Sequence, residues 1–195
     1  MDKRDIIRFF DQLAPAWDAQ QVDCTAVIDK IFDNARIAPQ QRILDVACGT
    51  GVLFPHYLRR EVGSVTGIDI SPEMVRLARE KYAEEPKISV LCGDVETQTF
   101  PALFDSIMLY NAFPHFPDPQ HLIASLAALL PAGGRLTIAH GMSRESINAH
   151  HQGAAQYVSH ELMDAQQLCA LFAPCFQVDI AVDDATMYQV SGVKK

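Results

Sequence analysis

The chain is 195 residues long, 49% hydrophobic and 21% charged, which is one domain's length with enough apolar content for a proper core. Its 24 acidic and 16 basic residues leave a formal net charge of −8, with Lys and Arg scattered. That excludes the basic face of a nucleic-acid binder and the basic run of an anionic-membrane binder, leaving a small-molecule or protein partner.

The first forty residues read as helices. Ile6, Ile7, Phe9, Phe10 and Leu13 give one short apolar face that ends near Pro15. Cys24, Val27, Ile28, Ile31, Phe32 and Ala35 then recur at helical spacing up to Pro39. From residue 42 short apolar runs alternate with helical patterns. Residues 42–46 form a strand that ends in Gly49-Thr-Gly51, followed by a helix over 52–60 and a second strand over 64–68. Ser71-Pro72-Glu73 is a helix start, with Ser as N-cap, Pro at the first helical position and an acid in the first turn; the helix runs to about Tyr82. Strands three and four are 88–92 and 105–110. Asp118-Pro119 opens a helix that buries Leu122, Ile123, Leu126, Leu129 and Leu130 and stops at Pro131-Ala-Gly133-Gly134, before a fifth strand over 135–139. A helix near 163–172 leads to runs at 176–182 and 186–193, separated by so short a turn that they must pair antiparallel.

Strands alternating with helices at this spacing predict an α/β fold, a doubly wound and mostly parallel sheet of seven strands with the seventh antiparallel. Right-handed crossovers place helices on both faces and ligands at the carboxyl ends of the strands. One domain is expected: a helical lid over 1–40, a binding core over 42–140, a substrate-side insert over 141–162, and a closing helix and hairpin over 163–195. Cys24, Cys48, Cys92, Cys169 and Cys175 form no CxxC pair and no zinc-like spacing, so no metal ligands are assigned. An odd thiol count without a signal peptide, and no run near the roughly 18 apolar residues of a membrane span, point to the cytoplasm.

Four features fall at the carboxyl ends of predicted strands. Gly49 and Gly51 permit the tight turn and close backbone approach that a bulky ligand needs at a helix N-terminus. Asp69 ends strand two, where such folds place a ribose-binding acid, and Ser71 is the better cap for the following helix. Asp94 in Cys92-Gly93-Asp94-Val95 can accept from an adenine amino group while Val95 packs on the ring, and Asn111 ends strand four. Two glycines after a strand would otherwise mark a plain turn.

Asp45-Val-Ala-Cys-Gly49-Thr-Gly51 and Gly67-Ile-Asp69-Ile-Ser-Pro-Glu-Met74 resemble the first two motifs of the class I S-adenosylmethionine-dependent methyltransferases. Cys92-Gly-Asp94-Val95, Phe104-Asp105-Ser-Ile-Met and Leu130-Pro-Ala-Gly-Gly134-Arg-Leu are similar to the later motifs, in the family's order, so the likeness covers about residues 42–140. It is closest to the subgroup of ubiquinone/menaquinone-biosynthesis-type and other small-molecule methyltransferases. The resemblance implies a Rossmann-like, three-layer α/β/α fold with strand order 3-2-1-4-5-7-6, and S-adenosyl-L-methionine as cofactor with S-adenosyl-L-homocysteine as product. It implies that Ala47, Gly49 and Gly51 line the methionine part. Asp45 would accept from the amino group or hold the loop, Asp69 and Ile70 would bracket ribose and adenine, and Asp94 and Val95 the adenine edge. Asn111 would lie near the sulfonium, and Trp17 in an entry segment would cover the methionine end, although the residues themselves slightly favour Trp17 as a helix-packing aromatic. Cysteine is common in the family at position 48, so Cys48 is no sign of thiol chemistry.

A sulfonium methyl is already activated, so the protein has mainly to align a nucleophile, which is worth roughly 7–11 kcal/mol. A general base adds to that only when the nucleophile must lose a proton. His115, just after strand four, and His140, at the end of strand five, are the candidates; His115 reads either as a base or substrate contact or as a loop histidine shaping the pocket. The segment from His140 to His151, with His160 beyond it, suggests a metal or tetrapyrrole partner. His150 and His151 are neighbours, however, about 100° apart on a helix, which favours a polar lid helix capped by Ser143. The expected function is methyl transfer to a small-molecule acceptor, with no nucleic acid or membrane span and with a homodimer left open. The alternatives are a non-catalytic cofactor- or metal/tetrapyrrole-binding protein and a nucleotide-dependent oxidoreductase. Phe54 stands where the latter would usually carry its third small residue.

Overall fold

Burial along the central strands sets the architecture. β4 (Ser106–Tyr110) and β5 (Arg135–His140) are buried at every position, and β1 (Arg42–Val46) at all but its first, as strands covered on both faces must be. The computed structural model describes residues 1–20, 24–152 and 155–195, so parts of the expected lid (21–23) and insert (153–154) lie outside the described residues.

With β2 (Ser64–Asp69), β3 (Ile88–Cys92), β6 (Phe176–Asp183) and β7 (Tyr188–Lys194), the sheet has seven strands in the order β3-β2-β1-β4-β5-β7-β6. The pairs from β3 to β5 are parallel, and β7 runs antiparallel to both β5 and β6. This is the expected doubly wound α/β order. The insertion of β7 is fixed by Arg135, whose guanidinium grips Asp179 on β6 at 2.7 and 2.8 Å and Ser191 on β7 at 2.9 Å. A two-pronged contact of this kind sets register as well as proximity.

Alternate residues feed two cores, one on each face. Ile43, Met108 and Tyr110 pack with α2 (Thr25–Asn34), α3 (Phe54–Arg59) and α4 (Pro72–Lys81). Leu44, Ile107 and Leu109 pack with α5 (Pro119–Ala128), α6 (Arg144–His151) and α7 (Ala165–Phe172). The predicted caps are in place: Ser71 accepts from the Met74 N–H, Asp118 from His121 and Ser143 from Ser146.

Several boundaries shift by a residue or two, three of them for a visible reason. α1 (Lys3–Trp17) continues through Pro15 instead of ending there. Pro15 lies in the last turn, where it removes a single hydrogen bond while Ala14 beside it stays buried. α3 begins at Phe54, because the chain spends 49–53 in the glycine turn. β7 begins at Tyr188, because Asp184 Oδ1 takes the backbone N–H groups of Thr186 and Met187 and holds both in the turn.

Candidate active site

The turn after β1 contains three left-handed residues, Ala47 (φ 54°), Gly49 (φ 54°) and Gly51 (φ 84°). The two glycines serve different ends. A Cβ on Gly49 would meet only Trp17 Nε1 at 3.8 Å and Met74 Sδ at 4.0 Å, so the backbone here faces open space. A Cβ on Gly51 would sit 2.5 Å from Phe54 Cδ2 and 2.8 Å from Tyr82 Cε2, so Gly51 makes room for the turn's own packing.

Asp69 closes the turn from the end of β2. Its carboxylate accepts the N–H groups of Gly49 and Ser71, each at 2.8 Å. Burial raises its pKa to about 6, and the two backbone donors pull against that rise.

These elements form one wall of a cavity of about 530 Å³ at the carboxyl ends of β1 to β4, with α1 and α6 opposite. Every candidate residue named from sequence borders it except Asp45, Gly51 and His140. Asp45 is 2% exposed and lies behind the turn; its Oδ2 has no hydrogen-bond partner among the described residues, and burial, then the charge of Asp69, raises its pKa. His140 is wholly buried with neither ring nitrogen partnered among the described residues, and burial lowers its pKa to about 3. It supports the wall from behind.

His115 borders the cavity directly. Its Nδ1 lies 2.8 Å from the carbonyl oxygen of Val158. A carbonyl only accepts, so Nδ1 carries the proton and Nε2 is left as an acceptor. Burial lowers the His115 pKa to about 4, so the ring is neutral. His150 and His151 both border the cavity despite their divergence on α6. Among the described residues no group of three or more His, Cys, Asp or Glu is arranged to hold a metal ion. Asn111 (φ 55°) takes the Gly141 N–H on its Oδ1 at 2.9 Å, spending its side chain on joining the ends of β4 and β5.

Sequence reasoning missed the attachment of α1. Lys3 bonds Asp94 and Glu96, Asp11 takes the Ser71 hydroxyl and the Glu73 N–H, and Asp18 takes the Thr50 hydroxyl and the Lys81 ammonium. Each latch lands just beyond a different part of the wall: β3, β2 and the turn after β1. The positions 3, 11 and 18 fall near one helix face, a faint signal among the other charges of the segment.

A glycine turn after the first strand, a buried acid after the second and a further acid after the third define a site for a nucleoside-bearing ligand on a doubly wound sheet. Residues 43–134 match the family model for the methyltransferase domain. The chain is 34% identical over 142 residues to aklanonic acid methyltransferase DauC of Streptomyces sp. (strain C5), covering 69% of this chain and 64% of that protein. It is 31% identical over 144 residues to a ubiquinone biosynthesis O-methyltransferase of Coxiella burnetii, covering 70% of this chain and 61% of that one. It therefore spans less than two thirds of the length of these curated relatives. The N-methyltransferase NodS of Bradyrhizobium japonicum, solved with S-adenosyl-L-homocysteine, is similar in fold, with a TM-score of 0.72 at 12% identity over 100% of this chain and 99% of that one. Residues 43–134 thus carry a methyltransferase domain of the kind found in class I S-adenosylmethionine-dependent enzymes.

Proposed function

We propose that this protein binds S-adenosyl-L-methionine at the ends of β1 to β3 and transfers its methyl group to a small molecule held under α1 and α6. The observation that carries the reading is the open cradle at Gly49, bounded by Trp17 and Met74 and locked by the buried Asp69. The residues present fit the cofactor. Asp69 retains lone pairs for ribose hydroxyls, Ile70 and Val95 border the cavity as apolar faces for adenine, and Asp94 offers an acceptor to its amino group. Ala47, Gly49 and Trp17 would enclose the methionine end. When bound, S-adenosylmethionine supplies a sulfonium methyl that is already an electrophile. The protein's share is to orient the acceptor beside Asn111 and His115 and to exclude water with α1.

A small acceptor suits the available walls. Among the described residues α1, the start of α2 and the segment between β5 and α7 stand over the cavity, too little to clamp a macromolecule, and the net charge of −8 offers nothing to a nucleic-acid backbone. No helix among the described residues is long and apolar enough to cross a membrane. Calorimetric titration with S-adenosylmethionine and with S-adenosylhomocysteine tests the reading. Micromolar binding of both, followed by turnover with some acceptor, supports it; binding of neither sinks it.

A further inference from the structure

The two halves of the cavity differ in charge. Among the described residues the charged ones that border it are Lys3, Asp69 and Asp94, and Lys3 is paired with Asp94 and Glu96. Asp69 and Asp94 lie at the ends of β2 and β3, the half assigned to the cofactor, and Lys3 is held there by Asp94. From Asn111 onward in the chain, the described residues that border the cavity include no Asp, Glu, Lys or Arg. The titratable groups of that half are imidazoles: His115, His150 and His151 on the wall and His140 behind it.

Aromatic rings complete the acceptor half. Phe10 meets Trp17 edge-on at 5.9 Å and His115 edge-on at 5.0 Å, and His115 meets His151 at 5.1 Å. These rings run from the cofactor end of the cavity into the acceptor end, with Phe116 and Met142 also bordering it. Edge-on pairs leave ring faces and edges suited to a flat guest.

We propose that the acceptor is an uncharged, flat ring system that places one O–H or N–H group on Nε2 of His115. This inference rests on the methyltransferase reading above. Three facts converge on it. The carbonyl of Val158 fixes the His115 tautomer, so Nε2 can accept and cannot donate. A carboxylate or phosphate in this half would be desolvated with no Lys or Arg to pair with, a large cost. An ammonium would lack a carboxylate for the same reason. A ring without an N–H or O–H would instead leave the His115 acceptor buried and unmet, which specificity by hydrogen bonding penalises.

The test uses the full chain saturated with S-adenosylhomocysteine, so that binding is read without turnover. Naphthol, its methyl ether and hydroxynaphthoate serve as a matched set in calorimetric titration. Naphthol should bind at least about tenfold tighter than either relative, the ratio of one buried hydrogen bond. His115→Phe should erase the gap between naphthol and its ether while leaving S-adenosylhomocysteine affinity unchanged. His115→Gln, whose amide oxygen can accept, should restore part of it. Equal binding of the ether, equal or tighter binding of the carboxylate, or no binding of naphthol overturns the proposal while the cofactor reading stands. Failure of S-adenosylhomocysteine itself to bind overturns both.

Discussion

The carboxylate of Asp69 accepts the backbone N–H of Gly49 at 2.8 Å, so the acid that ends β2 holds the turn that follows β1. One side chain thus shapes the cradle and faces the ligand. Asp69→Ala would strand two buried N–H donors, at roughly 1–3 kcal/mol each, and would confound affinity with stability. Asp69→Asn keeps an acceptor for one of the two N–H groups and faces the other with an NH2, so it costs less stability than Ala and confounds the two less. It is expected to weaken S-adenosylmethionine binding by about 10- to 100-fold with a melting temperature within a few degrees of the parent. Unchanged affinity in calorimetry would show that Asp69 serves the turn alone.

The same carboxylate sets a pH dependence. Burial, opposed by the N–H groups of Ser71 and Gly49, raises its pKa to about 6. Protonation turns one acceptor oxygen into a donor. Cofactor affinity should therefore be constant above pH 6 and fall toward tenfold per pH unit below it. A profile that stays flat down to about pH 5 would remove Asp69 from the ribose contact.

Gly49 and Gly51 should fail differently when replaced. Gly49→Ala carries left-handed strain of about 1–2 kcal/mol in a place with room for a methyl group, so the fold survives and the cofactor is displaced. Gly51→Ala adds a clash with Phe54 and Tyr82, for a combined cost of about 3 kcal/mol, seen as a lower urea midpoint before any ligand is added. Similar melting curves for the two variants would contradict the distinct roles.

His140 makes the fold acid-sensitive. Burial, then the nearby His115 and His151, lowers its pKa from 6.5 to about 3. Between those values the unfolded chain binds the proton and the native chain does not. The stabilising term is therefore complete above pH 6.5 and is lost as pH falls toward 3. The loss should reach on the order of 2–3 kcal/mol by about pH 4.5. Asp45 and Asp69, whose pKa values are raised, act in the opposite direction. Comparison with His140→Phe isolates the histidine: the variant should gain on the parent as pH drops, and parallel stability curves would refute the effect.

Lys3 pins the free end of α1 across the acid after β3. The pair is part-exposed, so Lys3→Ala should cost under about 1 kcal/mol of global stability. Its larger effect is local: proteolytic cleavage within 3–20 should quicken several-fold, and the cofactor should associate and dissociate faster. Unaltered cleavage would mean that the Asp11 and Asp18 contacts hold the helix unaided.

The sheet order and the cofactor wall were legible because they rest on local signals, namely apolar runs, caps and glycines in chain order. Asp69, Asp94 and Gly49 could be placed because each lies at or within three residues of a strand's carboxyl end. What escaped depends on distance along the chain. The tautomer of His115 is set by Val158, 43 residues away, and the Lys3 latch reaches Asp94 across 91. No periodicity encodes such pairings. Gly51 was placed against the ligand because glycine types carry no direction, and only packing against Phe54 and Tyr82 reveals which way the missing Cβ would point.

Among the described residues the backbone of β6 pairs with β7 alone, which follows it in the chain and lies between it and β5, and the side chain of Arg135 on β5 reaches across to Asp179. β6 therefore has no place to dock until its successor has already added to the growing edge. The natural unit of assembly is the preformed hairpin, inserted as one piece onto β5, with Arg135 waiting to receive Asp179. Damage to either strand of that hairpin would expose the edge of β5 and invite a second molecule to pair there, so aggregation rather than simple loss of activity is the failure to watch for.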